Sequence, residues 1–201
     1  MVQIPVYKNT TDNSIHYENA SCISFISAHV YRLILELNTD YSRPLVFVPI
    51  GTDRATGDCL GPLTGTRLKG LHSGALVYGC LEKPTHAVNL LDILKDINAR
   101  HNDALIVAID ACLGNVGRVG YINVKPGKLK PGSALNKDLP EVGDFYISGV
   151  VNVGGFLEQQ VLQNTRLHVV YSMADIIARS LYLALIRFER QVGMQTRVNI
   201  N

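Results

Sequence analysis

Leu45-Val46-Phe47-Val48-Pro49-Ile50-Gly51-Thr52-Asp53-Arg54-Ala55-Thr56-Gly57-Asp58-Cys59-Leu60-Gly61-Pro62 and Ala104-Leu105-Ile106-Val107-Ala108-Ile109-Asp110-Ala111-Cys112-Leu113-Gly114 are the two stretches that decide the fold. Each opens on a continuous apolar run of strand length, as expected for a parallel strand covered on both faces. Each run is followed by an aspartate among small residues. In an open α/β sheet, ligand and catalytic sites gather at the carboxyl ends of strands. Two such strands offer two acids, Asp58 and Asp110, to one cleft. That pattern points to hydrolytic chemistry.

Outward from these strands, the apolar residues follow helical spacing. Ile26, Val30, Leu33 and Leu37 recur at steps of four, three and four, which predicts an amphipathic helix over about 20–37. Residues 60–71 can form a helix and 75–78 a short strand. Pro84-Thr85 precedes a second amphipathic helix with Leu90, Ile93, Leu94 and Ile97 on one face and Asn102 near its end. Strands are expected at 119–124 and 145–151, separated by a Pro/Gly/Lys loop over 125–143 that is too long for a tight turn. Gly154-Gly155 opens a helix to about residue 164. Ser172, with Asp175 three residues on, predicts the start of a last helix, along which Met173, Ile176, Ile177, Ser180, Leu181, Ala184 and Phe188 form the buried stripe. Strands alternating with helices imply a mostly parallel sheet between helical layers. Residues 1–17 read as a loosely ordered arm on a single domain spanning 1–201.

Composition narrows the function. The 201 residues are 47% hydrophobic and 18% charged, enough to bury a large core. A formal charge of +2 is too mild to point to nucleic acid, and Lys125, Lys128, Lys130 and Lys137 read as a solvated loop. Residues 1–5 carry no secretion signal, and the apolar stretches read as too short or too charged to span a bilayer, so no membrane partner is expected. Four cysteines without a CxxC pair indicate neither a zinc knuckle nor a disulfide framework. The six histidines never pair at metal-ligand spacing, so no metal and no cofactor is expected. The chain reads as an intracellular, reduced protein.

Locally, each aspartate has an ordinary structural explanation. Asp58 could cap the helix that begins near Leu60, whereas Ala111-Cys112-Leu113-Gly114 is a poor helix start and favours a cleft role for Asp110. Gly51, Gly57 and Gly61 let the backbone approach a substrate or take positive φ. Cys59 and Cys112 could act as nucleophiles beside a base, although small buried cysteines are the commoner case. Standard phosphate-binding glycine motifs are absent.

The stretch from Gly51 to Pro62 resembles the Gly-Asn…Thr-Pro-Asp-Ala-Leu-Gly-Pro motif of the germination protease, the atypical aspartic endopeptidase of germinating spores. Val107-Ala108-Ile109-Asp110-Ala111-Cys112-Leu113 resembles its Ala-Ile-Asp-Ala-Leu segment. Pro131-Gly132-Ser133-Ala134-Leu135-Asn136-Lys137 resembles its Pro-Gly-Ser-Gly-Val-Gly-Asn-Lys loop, with one residue fewer. The three motifs occur in that family's order across about 45–155, and the chain as a whole resembles small YyaC-type sporulation proteins related to that protease.

The resemblance implies the fold of the hydrogenase maturation endopeptidases, a three-layer α/β/α sandwich around a mostly parallel mixed sheet. It implies Asp58 and Asp110 as catalytic residues of a sporulation endopeptidase acting on a protein or peptide, in the forespore or mother-cell cytoplasm. Gly51, Asp53, Gly61, Gly132, Ser133, Asn136 and Lys137 are the expected substrate-binding residues. Two features depart from the pattern: Gly57 stands where the germination protease has proline, and residues 148–155 lack the histidine with which hydrogenase maturation enzymes hold nickel. A long propeptide is also not evident. A catalytically silent peptide-binding or scaffold protein of the same fold is the alternative, and metal-dependent hydrolysis a third reading. A homo-oligomer is compatible with all three.

Overall fold

In the computed structural model, residues 13–132 and 139–198 are described. The two apolar runs form β2 (Leu45–Pro49) and β4 (Leu105–Gly114), which lie side by side and parallel, Leu45 opposite Leu105 and Pro49 opposite Ile109. The other strands are β1 (Ser14–His16), β3 (Leu76–Val77), β5 (Tyr121–Pro126) and β6 (Phe145–Val153). The sheet order is β1-β5-β6-β4-β2-β3. From β6 to β3 the neighbours are parallel, whereas β5 pairs antiparallel with both β6 and β1.

Side-chain alternation explains the layers. Leu45 and Phe47 of β2 point into one core, Val46 and Val48 into the other, and all four are buried. The larger core lies under α1 (Cys22–Leu37), α2 (Leu60–Leu71) and α5 (Leu167–Val198). The smaller lies under α3 (Leu90–Arg100), whose Leu90 and Ile97 meet Val46, Val48 and Ala108. This is a mixed-sheet α/β/α sandwich, as the alternation of elements implied. A short α4 (Glu158–Gln163) follows β6.

Several expectations shift. β4 runs through Asp110 to Gly114, so this aspartate lies within a strand, because β6 continues to pair with it past a bulge between Cys112 and Leu113. Residues 14–16 belong to the sheet, since they complete the outer edge of β5. Gly154-Gly155 does not open α4; Leu157, at φ 59, turns the chain and the helix begins at Glu158. The last helix begins at Leu167, five residues before Ser172, because burying Val170 in the core continues it backwards. Asp175 then pairs with Arg67 at 2.9 Å and Arg179 at 2.8 Å instead of completing a cap. Leu37, at the end of the α1 stripe, is exposed. Residues 167–195 are long and apolar enough to cross a membrane, contrary to the sequence estimate, but half of the most apolar window is buried within the fold.

Candidate active site

Asp58 and Asp110 line one cleft of about 410 Å³, Asp58 from beyond the carboxyl end of β2 and Asp110 from within β4. Beyond β2, Gly51 leaves the sheet at φ 139 and its N–H donates to the Thr85 carbonyl at 2.8 Å. A side chain here would collide with the Asp58 carbonyl oxygen, so only glycine lets the loop fold back. The Thr52 N–H then donates to that same carbonyl at 3.1 Å. These contacts pin the tight helical turn Gly57–Cys59, which carries Asp58 immediately before α2. Asp58 is half-buried.

Asp110 is placed by its strand. It shares a sheet face with Ala108, projects into the cleft and is 7% exposed. Burial holds its carboxyl well above the usual carboxylate range, and the negative charge of Asp58 pushes the same way. Backbone hydrogen bonds from Ala111 (2.8 Å) and Gly132 act in the opposite sense. One acid is thus buried and proton-retaining, beside a second that is only half-buried.

Gly51, Asp53 and Gly132 also line the cleft. Gly61 does not: it sits in α2 against β2, where a side chain would strike the Ile50 backbone, so its role is helix-to-strand packing. Ser133, Asn136 and Lys137 lie outside the described residues. Burial pushes the Cys59 and Cys112 thiols up to about 11, which leaves both protonated and disfavours them as nucleophiles. All four cysteines are free. Among the described residues, no group of three His, Cys, Asp or Glu is arranged to hold a metal ion.

Two walls escaped the sequence reading. One is Pro84, His86, Ala87 and Val88, where Asn89 clamps the segment by accepting from the His86 N–H (2.8 Å) and donating to the Pro84 carbonyl (3.0 Å). The other is Gln159, Leu162 and Gln163 of α4. The Asn89 clamp has a short-range signal in the asparagine before Leu90; the α4 wall has none, because long-range packing places it.

Comparison with known proteins gives a relative 49% identical over 158 residues, the uncharacterized protein YyaC of Bacillus subtilis, with 78% of this chain and 75% of that protein covered. A solved structure, the [NiFe] hydrogenase maturation protease HycI of Thermococcus kodakarensis, is 19% identical and superposes over 75% of this chain and 98% of that one with a TM-score of 0.48. The family model described as a protein of unknown function, DUF1256, matches residues 14–180, and the chain belongs to that family.

Proposed function

We propose that this cleft hydrolyses peptide bonds, with Asp58 and Asp110 acting as one acid–base unit. The observation that carries the reading is the meeting of both aspartates in one cleft in unequal surroundings. Two carboxylates in mutual reach do not readily both ionise, so the pair shares a proton. Burial favours the proton on Asp110, leaving Asp58 ionised and nearer solvent. Asp58 then takes a proton from a water molecule as that water attacks the scissile carbonyl carbon. Asp110 donates its hydrogen bond to the carbonyl oxygen. When the tetrahedral intermediate collapses, a proton passes to the leaving amine and the C–N bond breaks.

Gly51 and Gly132, with the wall from Pro84 to Val88, supply backbone and apolar surface for an extended polypeptide. A role in spore formation, acting on a spore protein in the forespore or mother cell, rests on the germination-protease motifs. The test is cleavage of spore-protein mixtures by the purified chain. Asp58→Asn and Asp110→Asn should each lower the rate at least about 100-fold, the lower end of what general acid–base catalysis contributes. The double variant should be little worse than either, since the two groups work as a unit.

Wild type that cleaves nothing, or variants that cleave equally well, would defeat this reading. A silent peptide-binding protein would then lead, favoured by Val88, which lines the cleft while 87% exposed.

A further inference from the structure

A row of polar side chains crosses the sheet from its edge to the cleft floor. Ser14 stands opposite Asn123, Asn123 opposite Ser148, and Ser148 opposite Asp110, one residue on each of four neighbouring strands. Alternation puts all four on one face. Asn123, Ser148 and Asp110 are each buried to within 9% exposure. Buried polar groups cost free energy unless bonded, and apolar residues would fill these positions without that cost.

Hydrogen bonds give the row a direction. An Arg118 Nη donates to Ser14 Oγ (2.7 Å) and to Asn123 Oδ1 (3.2 Å), and the guanidinium stacks 4.1 Å over the Tyr121 ring. A guanidinium has no acceptor, so the Asn123 oxygen must face it and the amide nitrogen must face β6. That nitrogen donates to the Ser148 hydroxyl (3.2 Å) and carbonyl (3.4 Å). The Ser148 hydroxyl in turn hydrogen-bonds the Cys112 thiol, two residues along β4 from Asp110. No carboxylate lies within ion-pair distance of Arg118 among the described residues.

We propose that Arg118, Asn123 and Ser148 are positioning residues for Asp110: the row aims the positive ends of its dipoles at the cleft floor and stabilises the Asp110 anion, so that its proton can leave during turnover. The proposal rests on the reading of Asp110 as the proton-holding member of the pair. The other charged or titratable groups near the site are Asp58 and Cys59 on one turn, Asp53 and Arg54 on the loop after β2, His86 before α3, Cys112 on the same strand, Tyr146 on β6 within reach of Cys112, and Lys125 on β5, whose charge reaches Cys112. None of these changes in the variants below.

The test follows the carbon-13 shift of the Asp110 carboxyl against pH in the full chain. Arg118→Gln removes the charge, Asn123→Ala breaks the row, and Arg118→Lys restores a cation. Arg118→Gln should raise the midpoint by roughly half to one pH unit, the scale expected of a charge two to three strand spacings away at protein-surface dielectric, and Asn123→Ala should raise it by less, because the charge stays. Arg118→Lys should recover most of the shift. An unchanged midpoint in Arg118→Gln, which keeps most of the side-chain volume in case Asn123→Ala fails to fold, overturns the proposal. The pH profile of cleavage separates the two readings. A midpoint that moves in a chain that cleaves nothing leaves the row standing and defeats the peptidase. Cleavage with an unmoved midpoint does the reverse.

Discussion

Asp110 is the residue at which stability and function should conflict. Its folded-state affinity for a proton is raised by burial and by Asp58, so the folded chain holds a proton that the unfolded chain releases at ordinary carboxylate pH. Its contribution to stability is therefore fully present below about pH 4 and is lost as pH rises through the raised folded value. Asp110→Asn, which cannot ionise, should unfold at a higher temperature than wild type at pH 7, and that advantage should shrink to nothing as pH falls below about 4. Calorimetry of both proteins from pH 3.5 to 8 checks the sign. Gly51 carries a second expectation. Gly51→Ala should cost about 1–3 kcal/mol in denaturant unfolding, because φ 139 and the Asp58 carbonyl both exclude a side chain. It should also lower cleavage more than stability, since the displaced loop carries Asp58. The need for glycine there was legible as a possibility in the Gly-rich stretch; what it must avoid was not.

At the scale of elements, α4 is a wall of the cleft held by few anchors. Asn152 donates to Thr165 Oγ1 (3.2 Å) and the Val161 carbonyl (3.4 Å), while its own Oδ1 accepts from the Val153 N–H (2.8 Å). Asn152→Ala should leave the sheet intact and destabilise the protein by about 1–2 kcal/mol, with faster hydrogen exchange confined to residues 154–165. Uniform acceleration along the chain would contradict this local role. Periodicity read α1 and α3 to within a few residues, because each has one apolar stripe against one sheet face. It failed for α4 and for the start of α5. Gly154-Gly155 resembles a helix entry, but the chain turns through two further residues, ending on the left-handed Leu157, before the helix begins. Ser172 resembles a cap, but core packing of Val170 extends the helix past it.

At the scale of the molecule, Arg43 joins parts distant in the chain. Its guanidinium donates to the carbonyls of Leu37 (3.1 Å), Asp103 (3.0 Å) and Ala104 (3.1 Å) and to the Asp144 carboxylate (3.1 Å). Asp144 also accepts from the Ile106 N–H at 2.8 Å. One side chain thus ties the end of α1 to the start of β4 and to the turn into β6. Arg43→Ala should cost about 2–4 kcal/mol, because two partly buried acceptors, the Ala104 carbonyl and the Asp144 carboxylate, lose their partner together with two exposed ones. Arg43→Lys should recover only a minor part, since one ammonium cannot reproduce a planar fork. Chemical denaturation with an unchanged slope checks both.

The sequence by itself determined the layered architecture and the strand origin of the site. Apolar runs of strand length alternating with striped helices have few other ways to bury their surface. It also singled out both aspartates, since each follows such a run among small residues. Tertiary structure alone decided how strand pairing prolongs β4 through Asp110, where a short-range reading sees a strand end. It alone assigned Gly61 to packing, brought α4 and residues 84–88 up as walls, and aligned Ser14, Asn123 and Ser148 with Asp110. The physical reason is common to all of these. Register and packing are set by residues tens of positions apart, and a polar residue on a strand does not reveal its neighbour until the strands are paired.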